Sequence, residues 1–118
     1  KPSDAAAAIE EIVCRHAPRC SVRPAVLLGH SYGTFLVAQA VRHCRPDLLR
    51  GVVLLDPMCF MLHLGTTTHN FCYRLSNSHP ITWLIRRELT MNIHMRRHFH
   101  WHQNCLWWED LGAAGLRG

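Results

Sequence analysis

The sequence predicts an α/β fold with a parallel sheet, followed by a mainly helical region. Two short apolar runs, Ala25 to Leu28 and Gly51 to Leu55, show no polar alternation. A helically patterned segment lies between them. The pattern Gly29-His30-Ser31-Tyr32-Gly33 joins the first run to that segment. Unalternating runs of this length suit strands covered by helices on both faces of a sheet. Two such strands joined by a helix make a crossover unit, which is right-handed in nearly every known sheet.

The elements follow in order. Ser3 or Asp4 can cap a first helix, in which Ile9, Ile12, Val13 and His16 fall at helical spacing. Pro18 stops that helix, and 19–24 reads as a connection to the first strand. From Tyr32 to Cys44 the crowded apolar residues Phe35, Leu36, Val37, Ala40 and Val41 predict a helix that Pro46 ends. The second strand closes at Asp56-Pro57. Beyond Met58 the character changes: an apolar stretch to Leu64, a polar one with three threonines over 65–70, and a turn over 76–80. Residues 81–104 are rich in Trp, Met, His and Arg, with helical spacing such as Leu84, Glu88 and Met91. No further Val/Ile-rich strand follows. The expected organisation is a partial α/β core over 1–60 and a helical, cap-like segment over 61–118.

Composition bounds the function. A chain of 118 residues holds one modest core, and 48% hydrophobic against 18% charged residues is a globular balance. No apolar run approaches the roughly 18 residues of a membrane span. The net charge of +5 is scattered apart from Arg86-Arg87 and Arg96-Arg97 and matches no nucleic-acid module, so no nucleic-acid partner is expected. The six cysteines form no Cys-x-x-Cys pair, and Cys44 and Cys59 sit in or beside apolar patterns, which points to buried free thiols. No Asn-x-Ser/Thr acceptor or signal peptide marks a secreted protein, so the cytoplasm is the expected compartment.

The Gly-x-Ser-x-Gly pattern carries the chemistry. A serine hydroxyl is a poor nucleophile at neutral pH and needs a base and an exposed position. A sharp strand-to-helix turn supplies the exposure, with small residues two places either side so that strand and helix can approach. Here Gly29 and Gly33 flank Ser31, and the amide of Tyr32 at the start of the next helix is placed to meet a developing oxyanion. The bare pattern arises by chance in about 4% of chains this long. Its position between a buried strand and a helix lowers that roughly tenfold, and the functional reading prevails over an incidental serine.

Over Ala25 to Thr34 (AVLLGHSYGT) and Gly51 to Pro57 (GVVLLDP) the chain resembles the central segment of the α/β-hydrolase superfamily. Met58 to Leu111 more loosely resembles the helical cap of helix-capped members. The resemblance implies a serine hydrolase that cleaves carboxylic esters through an acyl-enzyme on Ser31, with Tyr32 giving the oxyanion amide. It also implies a triad in the order Ser, acid, His and a second oxyanion amide from an earlier loop. No segment matches that loop or the strand and His near the family's C-terminus. With no initiator Met, the chain is therefore expected to be an incomplete domain from a longer protein, inactive by itself. The expected partner is a small ester or acyl substrate, and no cofactor or metal is implied.

The acid and the base stay open. Asp56 stands at the tip of the strand after the nucleophile helix. Most relatives carry the acid one strand later and some carry it here, so Asp56 is a candidate acid, with a turn or cap role as the alternative. His30 diverges from Ser31 within the turn, and His63 and His69 have the right chain order without a final strand before them. His94, His98, His100 and His102 form the densest cluster, with i, i+4 pairs that can hold a metal. No carboxylate follows at metalloprotease spacing, so solvated or aromatic-packed histidines are the expectation. Trp101, Leu106, Trp107 and Trp108 beside the four arginines suit either a cap over an acyl pocket or weak contact with a membrane surface. Two further readings remain: a catalytically inactive relative serving as a binding module, and a membrane-surface protein using the Trp/Arg helices.

Overall fold

The computed structural model describes residues 2–16, 25–73 and 80–116, without the side chains at 2, 3, 81, 82, 85 and 86. The expected connection over 19–24, most of the expected turn over 76–80 and the side chain of Arg86 lie outside the described residues. The elements in chain order are helix α1 (Pro2–His16), strand β1 (Ala25–His30), helix α2 (Gly33–His43), strand β2 (Leu49–Leu55), then helices α3 (Gly65–Tyr73), α4 (Pro80–Arg87) and α5 (Leu89–Ile93). A π-helical turn His94–His98, a 3-10 turn Trp101–Asn104 and helix α6 (Trp108–Ala113) complete the chain. They group into two compact units, Lys1–Phe60 with Asn104–Gly118, and Met61–Gln103.

The first unit is built on β1 and β2, which pair in parallel through the α2 crossover, as the apolar runs predict. The register runs from Ala25 opposite Leu49 to His30 opposite Leu55, with an irregularity between Ala25 and Val26. That irregularity accommodates Arg50 and lets β2 begin two residues earlier than its apolar run suggested. Leu48 and Leu49 are buried, and Ala25 N donates to Leu48 O at 3.1 Å, so the pair seals the start of the ladder.

One face of the sheet lies under α2. Leu27 packs against a cluster of Ala6, Ala40 and Cys44, joined by Ile9. Small residues let α1 approach α2 closely, and the Cys44 thiol donates to Ala6 O at 3.4 Å. Of the apolar residues at helical spacing on α1, Ile9 joins this cluster while Ile12 is 60% exposed. The expectation that both faces are covered needs correcting too: Val26, Leu28, Val53 and Leu55 are exposed, and Leu28 opposes Val53 on one face. An unalternating run reports only that both faces are apolar. It does not supply a second layer.

Residues 104–118 were expected with the helical segment, yet they group with the first unit. Three polar ties explain this. Gln39 Nε2 donates to Asn104 Oδ1 at 2.9 Å, Leu106 N to Cys59 O at 2.8 Å, and Arg42 Nε to Asp110 Oδ2 at 3.0 Å. The same Asp110 oxygen accepts from Trp107 N at 3.0 Å, which fixes the first turn of α6.

The second unit holds helices and no strand among its described residues. The three threonines over 65–70, read as a polar stretch, lie in α3, whose first turn is closed by Thr67 N and Thr68 N donating to Leu64 O. The helical spacing through Glu88 is interrupted: Glu88 is extended (φ −71°, ψ 122°), and its carboxylate accepts from Thr90 N and Met91 N to cap α5. Capping is the role short acidic residues play best at a helix start, and here a glutamate fills it. Further on, Trp101 stacks edge-on against Phe99 and Phe71 at 4.8 and 5.4 Å, and its Nε1 donates to Met95 O at 2.8 Å. Met95 and Phe99 are buried, so these rings are the core of the unit.

Candidate active site

Both strands of the sheet end in residues with left-handed backbone. Ser31 follows β1 with φ 50° and Asp56 follows β2 with φ 47°. Side-chain-bearing residues pay roughly 1–2 kcal/mol for this conformation, least for Asp. At Ser31 the strain is imposed by the tie on either side: Ser31 N donates to Leu55 O at 2.9 Å, and Ser31 O accepts from Thr34 N at 3.0 Å. The backbone must therefore leave the ladder and enter the helix within two residues. Since His30 opposes Leu55, the two strained tips are neighbours across the ladder.

The flanking glycines do different work. A Cβ on Gly29 would lie 2.8 Å from Val37 Cγ2 and 3.0 Å from Gly33 O, so β1 and α2 touch at that point and only glycine fits. A Cβ on Gly33 would meet nothing within 4 Å. The expectation that both positions need a small residue is thus corrected for Gly33: its side-chain direction is open.

Ser31 is half-buried, and its Oγ donates to Met58 Sδ at 3.4 Å. A thioether is a weak acceptor that takes no proton, so this contact orients the hydroxyl without activating it. Thr34, fully buried, secures the turn: its Oγ1 donates to Ser31 O at 2.6 Å and accepts from Met58 N at 3.1 Å. One hydroxyl thus joins the serine turn to the segment after β2. The sequence reading assigned Thr34 and Met58 no role. The available signal was a hydroxyl three residues after the serine in an otherwise apolar helix.

Tyr32 begins α2 in helical backbone (φ −56°, ψ −31°), its ring half-exposed and edge-on to Phe35 at 5.2 Å. The amides at a helix start point out of its N-terminal end, toward the serine turn here. Asp56 is exposed at the tip of β2. His30 is exposed on β1, and among the described residues of this unit no imidazole hydrogen-bonds to Ser31 Oγ. Behind Met58, Cys59 is buried, and that burial pushes its thiol up from the usual range. Cys44 is raised for the same reason, with Glu10 adding to it. Cys14, Cys44, Cys59, Cys72 and Cys105 are all free thiols.

The other candidates lie in the second unit. His63 is exposed there, and His69 stacks on Tyr73 at 5.3 Å between centroids. His94 and His98 face each other at 6.3 Å on the π-helical turn. Among the described residues no group of three or more His, Cys, Asp or Glu side chains is placed to hold a metal. The Trp/Arg segment is divided: Arg96, Arg97 and Trp101 belong to the second unit, while Trp107 and Trp108 belong to the first.

The chain was compared with known proteins. No curated protein and no solved structure matches it. The sequence model of the alpha/beta hydrolase family matches residues 2–114, nearly the whole chain. That match embraces the parallel strand pair, the strained serine turn and the helices after it, and the chain belongs to the alpha/beta hydrolase family.

Proposed function

We propose that the protein is a serine hydrolase of carboxylic esters with Ser31 as nucleophile. The observation that carries this is the left-handed backbone of Ser31 between β1 and α2, wedged by the contact of Gly29 with Val37 and Gly33. A non-glycine residue keeps such a conformation only where the surroundings over-determine it, and a reactive serine is a reason to do so. In the reaction Oγ bonds to the ester carbonyl carbon while its proton passes to a general base. The tetrahedral oxyanion is met by the Tyr32 amide and the positive end of α2. The alcohol then departs with a proton, and water releases the acid from the acyl-serine. Asp56, beside Ser31 at the neighbouring strand tip, is the candidate acid. The test is labelling with a fluorophosphonate read by intact mass: label lost in Ser31→Ala supports the assignment, and label retained in that variant refutes it.

A second reading, a binding module without catalysis, is favoured by one observation. The Ser31 hydroxyl donates to the Met58 sulfur and not to an imidazole. A folded protein that takes no label yet binds an ester without turnover supports this reading.

A further inference from the structure

The second unit concentrates the positive charge of the chain. Met61–Gln103 contains five arginines and seven histidines against a single carboxylate, Glu88. Glu88 caps α5, and the amides of Met91 and Thr90 hold its carboxyl below the usual range, so its charge faces a helix start. The rest of the chain is close to neutral. Charge of one sign on one unit sets up a field over that surface, and a neutral surface gives it nothing to act on.

The same unit leaves large apolar side chains in water. On α4, Trp83 is 45% and Leu84 56% exposed, and Arg87 lies one turn on with its guanidinium 5.2 Å from the Trp83 ring centroid. On α5, Leu89 is 72% exposed, with Met91 and Ile93 near half, and no residue of this helix is buried. Arg97 follows on the π-helical turn, exposed. Arg96 instead lies 4.3 Å from the Tyr73 ring and donates to Cys72 O, so it holds the fold.

We infer that the α4–α5 segment, which exposes Trp83, Leu84, Leu89, Met91 and Ile93 and carries Arg87, together with Arg97 on the turn that follows, docks on an anionic lipid surface. Charge complementarity selects the sign of the partner, and the apolar side chains select its kind. A nucleic acid would engage the arginines and leave Leu84, Leu89, Met91 and Ile93 in water. A bilayer interface takes both, with apolar side chains at the acyl boundary and guanidinium groups at the headgroups. No helix among the described residues is long and apolar enough to cross a membrane, so the contact lies in the plane of the surface. The inference does not depend on the reactivity of Ser31.

The test is co-sedimentation of the full chain with vesicles of phosphatidylcholine alone and with about 30% phosphatidylserine, at low and high salt. The expected result is binding to the anionic vesicles only, weakened by salt. Arg87→Gln and Arg97→Gln should each lower the partition about fivefold. Leu89→Ser with Met91→Ser should lower it about tenfold or more. These side chains are exposed, so far-UV circular dichroism of the variants should match the parent. Absence of binding to anionic vesicles overturns the inference, as does equal binding to the neutral ones. Binding that the Leu89→Ser, Met91→Ser protein retains in full, and that a 20-nucleotide single-stranded RNA displaces, overturns it in favour of simple polyanion adsorption.

Discussion

Replacing Gly29 with alanine places a methyl 2.8 Å from Val37 Cγ2, 3.0 Å from Gly33 O and 3.1 Å from Gly33 C. Carbon contacts settle near 3.5–4.0 Å, so the Val37 contact is well inside the repulsive wall and the two Gly33 contacts are tight enough that the backbone must give by a few tenths of an ångström. Val37 has little freedom to turn away, because it is 5% exposed and β-branched side chains in helices hold essentially one rotamer. Gly33 can retreat only by carrying the Ser31–Gly33 turn with it. Overpacking of a tight core costs about 1–3 kcal/mol, and the backbone contact puts Gly29→Ala at the upper end. A double-mutant cycle apportions the clash. In a Val37→Ala background the Cγ2 contact is gone and the Gly33 contact persists, so the cost should fall to roughly half without vanishing. Urea unfolding followed by circular dichroism reads both numbers. Gly33→Ala is the internal control, with nothing within 4 Å at the head of a helix, and should be neutral or stabilising by up to about 1 kcal/mol. A cost for Gly29→Ala below about 0.5 kcal/mol, or one equal to that of Gly33→Ala, would refute the argument that β1 and α2 touch at Gly29.

Other expectations follow from particular contacts. Thr34→Val leaves the Met58 amide without its acceptor and should cost about 1–3 kcal/mol in urea unfolding, whereas Thr34→Ser should recover most of it. Asp110→Ala removes both the acceptor for Trp107 N and the partly buried partner of Arg42, and should cost about 1–2 kcal/mol. Among the described thiols, iodoacetamide at pH 8, mapped by mass spectrometry, should modify exposed Cys14 first, with Cys44 and Cys59 slowest, because burial both shields those thiols and raises them. The Glu88 carboxyl is lowered by the Met91 and Thr90 amides. A depressed acid contributes stability above its unfolded value near 4.5 and loses it as pH falls through the lower folded value. An acid titration of helicity should therefore show a component below pH 4.5 that Glu88→Gln abolishes; an unchanged curve in that variant argues against the cap.

Much of the first unit was legible because its signals are local. An apolar run before Gly29, a Gly-x-Ser-x-Gly pattern and a helical apolar run need no distant partner to be read. Burial is different, since it depends on what else arrives. Ile9 and Ile12 both fall at helical spacing, but Ala6 makes the close contact with α2, Ile9 packs against it and Ile12 faces water. Similarly, the spacing through Glu88 looked helical because a glutamate suits a helix interior as well as a cap. What decides is the pair of amides at Thr90 and Met91, visible only in the fold. The return of 104–118 to the first unit rests on Asn104, Leu106 and Asp110 finding partners 47 to 68 residues away, which no periodicity records. At the site, the glycines looked equivalent by symmetry about Ser31, and the strand-to-helix crossing makes only Gly29 sterically necessary.

Fluorophosphonate labelling of the protein, compared among the parent, Ser31→Ala, Tyr32→Ala and Thr34→Val, tests the central claim most directly. Where a general base serves Ser31, the account predicts one adduct on the parent, none on Ser31→Ala and an adduct retained on Tyr32→Ala, since its role is borne by the main-chain amide. Thr34→Val, with the turn no longer tied to Met58, should react about tenfold or more slowly, as misplacement of a nucleophile predicts. A folded parent that takes no adduct, or an adduct that survives Ser31→Ala, would contradict the account.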